Sequence, residues 1–407
     1  MPLTHSTTEL AAWLRLSLEP GLTPSLRYPL LSALGLPEQI YDHGAAALAR
    51  HVPQDLAIQL AAEPPAALRA RIDSALEWAT QPNHHIVTLA DPGYPQSLLT
   101  IADPPTVLYI NGDPARLNLP ALAVVGARSA TPGGCENASA FAHHLASHGW
   151  CVVSGLAQGI DAAAHEGALQ AGPDHASTIA IMGTGIDRVY PARHRDLAHR
   201  IAEQGALVSE FPLGMGALPH HFPMRNRLVA GLARGVLVVE AARQSGSLIT
   251  ARLAGESGRE VFAIPGSIHS PLSRGCHALI RQGAKLVETA QDITDELGGS
   301  LSPRASRTQA LAGATSDGDA IADTSTPADT SPDDATAIDR TTLPGTPALD
   351  DPPDTPLLQA LGYDPLHLDV LQARTGLDIP TLTTQLLTLE LGGHIARLDG
   401  GRFQRIR

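Results

Sequence analysis

The sequence predicts an α/β protein: a doubly wound, mostly parallel sheet in the middle of the chain, a small helical unit before it and a winged helix after it. Three observations carry this. Between His85 and Glu288 short apolar runs alternate with helical patterns, and several runs lead through a glycine-containing loop into a helix, the rhythm of parallel strands joined by crossover helices. Residues 1–82 show helical spacing throughout. From residue 357 onward, two helical stretches around Thr375-Gly376 precede a hairpin that turns at Asp399-Gly400-Gly401, and a helix-turn-helix followed by a hairpin is a winged helix.

Taken in order, the first unit reads as helices around Ala12-Trp13-Leu14, Tyr28–Leu34 and Ala66–Leu76. Pro20-Gly21-Leu22-Thr23 turns between the first two, either as a plain connector or as a helix-hairpin-helix turn for a DNA phosphate. In the central unit, 83–297, strands are expected at 86–89, 122–125, 151–153, 178–182, 206–209, 235–240, 260–263 and 285–287. Residues 298–356 are rich in Asp, Thr, Pro, Ala, Ser and Gly and contain no aromatic side chain. Such a segment cannot bury enough apolar surface to offset its ordering entropy, so an acidic, disordered linker is expected. The winged helix occupies 357–407.

The 407 residues carry a net charge of −13, which at first argues against nucleic acid. The acidity is local, however: residues 291–356 hold 3 basic and 13 acidic groups, whereas 121–290 hold 14 and 12. Three scattered cysteines without a CxxC pair fit a reducing cytoplasm. The N-terminus lacks the basic and apolar regions of a signal peptide, and no apolar run approaches the ~20 residues of a membrane span.

Several glycine loops fall at the carboxyl ends of expected strands, where such sheets bind ligands. Gly126-Ala127-Arg128-Ser129 follows the run at 122–125 and suits a phosphate; it is not GxGxxG, so dinucleotide binding is poorly supported. Ser154–Gly159 precedes Asp161 and His165, four apart on one helix face, either a metal pair or an N-cap with a core histidine. Gly183-Thr184-Gly185 is followed by Tyr190 and Arg193, an aromatic and a cation of the kind that hold a single strand by stacking and charge; Tyr190 as core is the alternative. Arg225-Asn226-Arg227 is expected where Phe222-Pro223 enters a helix. Downstream, Ser245-Gly246-Ser247 offers backbone N–H groups at the start of the next helix. A structural role for the two arginines would need carboxylates, with Glu210 and Glu240 as the candidates; the expectation is that at least one of them faces phosphate instead. The single lysine, Lys285, excludes GxxxxGK[ST], and GxSxG, HExxH and Cys/His clusters are absent, so no catalytic residues, metal or cofactor are expected.

These residues together resemble the DprA/Smf DNA-processing family. The likeness runs from Asp91-Pro-Gly-Tyr-Pro95 to Gly283-Ala284, through VGARSATPGG, VSGLAQGIDAAAH, TIAIMGTGIDRVYP, LVSEFPLG, FPMRNRLVAGL, VVEAARQSGSLITA, GREVFAIPG and GCHALIRQGA. It implies an extended Rossmann-like domain, with a sterile-α-motif-like helical domain before it. It also implies a cytoplasmic protein of natural transformation that binds incoming single-stranded DNA, forms a homodimer and loads the RecA recombinase. The pocket residues it implies are Gly126, Arg128, Ser129, Arg193, Arg225, Asn226, Arg227, Ser245, Gly246 and Ser247. Arg193 stands where the family often has Lys, and Gln158 where a basic residue is frequent. A rival enzyme class, the LOG-type nucleoside-monophosphate phosphoribohydrolases, carries PGGxGTxxE; here Pro132-Gly-Gly is followed by Cys135-Glu136-Asn137, which breaks that signature.

Overall fold

The structure is a computed structural model that describes residues 5–175, 177–298, 355–398 and 400–406. Six helices form the N-terminal unit: α1 (Thr7–Leu18), α2 (Pro24–Leu34), α3 (Pro37–Tyr41), α4 (Ala45–Leu48), α5 (Gln54–Ala61) and α6 (Ala66–Trp78). Ser6 and Glu9 close a capping box at the start of α1, satisfying two backbone donors that the first turn leaves open. The turn at Pro20-Gly21 is used internally, since the Pro20 carbonyl accepts from Gln59 Nε2 at 3.0 Å.

Nine strands make one sheet: β1 (His84–Thr88), β2 (Val107–Gly112), β3 (Ala121–Val125), β4 (Cys151–Ser154), β5 (Thr178–Ile181), β6 (Ala206–Ser209), β7 (Gly235–Val238), β8 (Glu260–Ala263) and β9 (Lys285–Leu286). Their order is β1-β2-β6-β5-β4-β3-β7-β8-β9. From β6 to β9 all pairs are parallel; β2 is antiparallel to both β6 and β1. Every residue of β3 is buried, because helices cover both faces. Ala121, Ala123 and Val125 point into the core shared with α10 (His221–Leu232) and α11 (Ser247–Glu256). Leu122 and Val124 point into the core shared with α7 (Pro132–Ser147) and α8 (Ile160–Gln170). The remaining helices of this unit are α9 (Arg195–Gln204), α12 (Arg274–Arg281) and α13 (Ala290–Leu297). Ile86, Val107 and Tyr109 belong to the same core as α1 and α6, so the helical unit packs on the antiparallel end of the sheet.

Eight strands were expected and nine are present. The additional one, β2, is the run Val-Leu-Tyr-Ile-Asn-Gly after Pro105, which pairs with the nearby β1 and with β6 nearly a hundred residues on; its Val-Leu-Tyr-Ile core is a strand signal that the sequence reading passed over. At the C-terminus, α14 (Pro356–Leu361), β10 (Leu366–His367), α15 (Leu368–Thr375), α16 (Ile379–Leu391), β11 (Ile395–Leu398) and β12 (Arg402–Arg405) form the winged helix, with strand order β10-β12-β11. Gly376 in the left-handed region (φ 68°) ends α15, and Gly400 and Gly401 take positive φ at the hairpin turn. The expected linker lies, apart from its ends, outside the described residues. Among the described residues no helix is long and apolar enough to cross a membrane.

Candidate nucleic-acid interface

The chain leaves β3 for β4, β5 and β6 on one side, then returns with β7 on the other side of β3. Loops at this switch point diverge and leave a crevice. Here it is a cleft of about 530 Å³, lined by the loop after β3, the loop after β4, the first turns of α10 and the loop that opens α11.

The loop after β3 is tied down before it reaches the solvent. The Ala127 amide donates to the Glu240 carbonyl (2.7 Å). A Cβ on Gly126 would lie 2.6 Å from Ile160 Cγ1 and 2.9 Å from that same carbonyl, so no larger residue fits. Further along, the Glu240 carboxylate accepts from the Thr131 amide (2.9 Å) and hydroxyl (2.6 Å). Burial raises the pKa of Glu240, and the bonds from Thr131 pull it back. Between these anchors Arg128 and Ser129 stand exposed. The Arg128 guanidinium lies 5.6 Å from the centroid of Phe222, and the half-exposed Tyr190 ring lies 5.4 Å from Phe222 at 51°.

The loop after β4 is held by two buried groups on α8. Asp161 Oδ2 accepts from the Gly155 and Ala157 amides at 3.2 and 3.3 Å. The cap of α8 is Gly159 (φ 78°), so Asp161 sits within the first turn and is not the N-cap. The Leu156 amide, on a residue in the left-handed region (φ 59°), meets His165 Nε2 at 3.3 Å. His165 Nδ1 lies 2.7 Å from Thr178 Oγ1, and that hydroxyl donates to the Val152 carbonyl. The hydroxyl proton is thereby spoken for, which makes Nδ1 the donor and Nε2 the acceptor. Burial pushes the pKa of His165 down to about 3, with Arg225 adding to the effect, so the ring is neutral. Asp161 and His165 are structural, and among the described residues no His, Cys, Asp and Glu groups converge on a metal site.

α10 begins at His221, which places Phe222 and Pro223 in its first turn and Arg225 in the second, not at the helix entry. Arg225 is 4% exposed. Its guanidinium donates to the Ile181 carbonyl (2.8 Å), stands 3.8 Å from Asp161 Oδ2, and covers Gly155, where an added Cβ would come within 1.5 Å of Nη1. Burial pulls the pKa of Arg225 down while Asp161 pulls it up. Arg227 turns the other way: it is absent from the cleft lining, pairs with Glu210, and donates to the Asp103 carbonyl at 2.6 Å. The carboxylates serving the two arginines are thus Asp161 for Arg225 and Glu210 with Asp103 for Arg227, so, against expectation, neither guanidinium is left for phosphate alone, and Glu240 serves Thr131 instead. Asn226 lines the cleft and reaches the Gly246 carbonyl at 3.4 Å.

At the far wall Ser245, Gly246 and Ser247 open α11, with the Ser245 and Ser247 hydroxyls 2.7 Å apart. Gly183, Thr184 and Gly185 lie beneath this surface. They are buried and outside the cleft lining, and the Phe222 ring covers Gly183. Ser209 donates to the Thr184 carbonyl (2.6 Å), and the Gly185 amide donates to Met215 (2.9 Å). Their place is to support Phe222 from below. Arg193 is exposed beyond Tyr190 and makes no ion pair among the described residues. Sequence reasoning missed Phe222 itself, whose FP dipeptide reads as a loop, and Gln244, which lines the cleft ahead of the serines.

Comparison with known proteins supplies the family. Residues 85–298 match the family of the DNA recombination-mediator protein A, and residues 341–401 match the DprA winged helix domain. Protein Smf of Escherichia coli K12 is 41% identical over 342 residues, covering 83% of this chain and 82% of that protein. DNA processing protein DprA of Streptococcus pneumoniae R6 is 46% identical over 209 residues, 51% of this chain and 73% of that protein. Its solved structure superposes with a TM-score of 0.59 at 37% identity, covering 72% of this chain and 99% of the other. The chain belongs to the DprA/Smf family.

Proposed function

We propose that the cleft holds single-stranded DNA by its phosphates and by stacking of a base, without reading sequence and without hydrolysing it. The observation that carries this is the pairing of Arg128 with Phe222 in the lining of a cleft that also takes in the start of α11, with Tyr190 packed on Phe222 outside that lining. An exposed guanidinium without a carboxylate partner among the described residues, beside a partly exposed and an exposed aromatic ring, suits a sequence-neutral grip on a single strand. The inward arginine, Arg225, is committed to Asp161 and Ile181, so its charge is largely balanced and it shapes the cleft floor more than it contacts a ligand. Membership of the family supports placing this activity in natural transformation in the cytoplasm, with a homodimer delivering the strand to the RecA recombinase.

The test is fluorescence anisotropy of labelled oligo-dT against a duplex of equal length over a salt series. Oligo-dT binds more tightly, and each phosphate neutralised contributes about −0.7 to the slope of log K against log salt. Equal affinity for duplex, or a flat salt dependence, would sink the proposal.

A further inference from the structure

In the winged helix, α16 occupies the place of a recognition helix but is built unlike one. It buries Leu382, Leu386 and Leu389. Its exposed residues are Ile379, Pro380, Thr381, Thr383, Thr384, Gln385, Leu387, Thr388 and Leu391, and none of them is charged. Leu391 is 82% exposed and Leu387 54%. Three threonines fold their hydroxyls back onto the helix: Thr383 donates to the Ile379 carbonyl at 2.8 Å, Thr384 to Pro380 at 2.9 Å and Thr388 to Thr384 at 2.9 Å. Their hydroxyl protons are thereby taken up within the helix and are not free to donate to a partner. A face without cations cannot offset phosphate charge, and a face without charge of either sign has nothing to complement in a charged partner.

We propose that this face is a self-association surface, on which α16 of a second copy of the chain packs antiparallel. Pro380, Thr384, Leu387 and Leu391 follow one another at intervals of four, three and four residues, the spacing of a two-helix seam. Antiparallel pairing about a two-fold axis sets Leu387 against Thr384 of the other copy and Leu391 against Pro380. Each contact then joins a large side chain to a small one, and each occurs twice, as an isologous interface requires. The opposed helix dipoles also match end to end. A 13-residue helix is about 20 Å long, too short to cover the ~800 Å² per partner of a tight complex. The pairing is therefore weak and reversible. It stands apart from the DNA-binding proposal, since none of its residues lines the cleft.

Disulfide trapping in the full-length chain tests it, on a Cys135→Ser background so that the half-exposed native thiol is silent. Chains carrying Pro380→Cys and chains carrying Leu391→Cys are oxidised separately and as an equal mixture. Both positions are exposed, so folding is retained, and circular dichroism confirms it. The mixture yields cross-linked dimer at least fivefold above either variant alone, because residue 380 meets residue 391 and never itself. Adding Leu387→Asp to both chains removes that excess. Cross-linking no greater in the mixture than in the separate samples, self-linking of one variant, or indifference to Leu387→Asp would each overturn the proposal.

Discussion

At the scale of single residues, burial separates arginines that look alike in the sequence. Arg128 is exposed beside Phe222, so Arg128→Ala is expected to leave the thermal midpoint unchanged and weaken oligo-dT binding by about 1–3 kcal/mol, the worth of a charge-assisted contact. Arg225→Ala strands Asp161 in the protein interior, for which about 3–5 kcal/mol of lost stability is expected in denaturant unfolding. Arg227→Ala destabilises through Glu210 in the same sense, with intrinsic DNA affinity retained. His165 adds a pH dependence. Its pKa in the fold is about 3, well below that of the unfolded chain, so between about pH 6.5 and 3 the unfolded state takes up a proton that the native ring refuses. Stability is therefore fully present above pH 6.5 and falls with pH through that window, with a slope approaching about 1.4 kcal/mol per unit from this group. A protonated ring would also turn an N–H toward the Leu156 amide and loosen the cleft wall. Urea unfolding of the parent and of His165→Asn at a series of pH values should show the shallower acid dependence in the variant; parallel curves would contradict the assignment.

At the scale of elements, what could be read from the chain was whatever local pattern encodes. The mostly apolar runs that became β3, β4, β5 and β7 announce buried parallel strands, and the hairpin glycines Gly400 and Gly401 announce their turn by needing positive φ. The antiparallel β2 also carries a local signal in Val-Leu-Tyr-Ile, but its placement between β1 and the distant β6 does not follow from that signal. The start of α10 was legible only in part: Pro223 signals a boundary, yet proline is equally at home in the first turn, so the helix extends back to His221 and carries Phe222 onto the cleft. The pairing of Arg225 with Asp161, and not with Glu240, depends on which loop crosses the switch point, and sequence spacing holds no record of that. An element-level expectation follows for α11. Gly246→Pro keeps an ordinary turn available to the fold but removes one amide from the wall facing Asn226, and oligo-dT binding should drop several-fold with the melting curve little changed. Unaltered binding would move the anion site away from α11.

At the scale of the whole molecule, the cleft belongs to the central sheet alone, so removing residues 299–407 is expected to leave oligo-dT affinity within a few-fold, measured by the same anisotropy titration. A hundredfold loss would make the winged helix a principal DNA site. Three units were readable along the chain because each has its own periodicity, whereas the way the N-terminal helices share a core with β1 and β2 was not. Arg225 also spans the molecule: it reaches from α10 across to the carbonyl of β5 and lies over the bare Cα of Gly155. That overlap couples the history of two positions seventy residues apart. A side chain at residue 155 requires that guanidinium to swing out of its place beside Asp161 and the Ile181 carbonyl, so residues 155 and 225 are expected to change together and not singly.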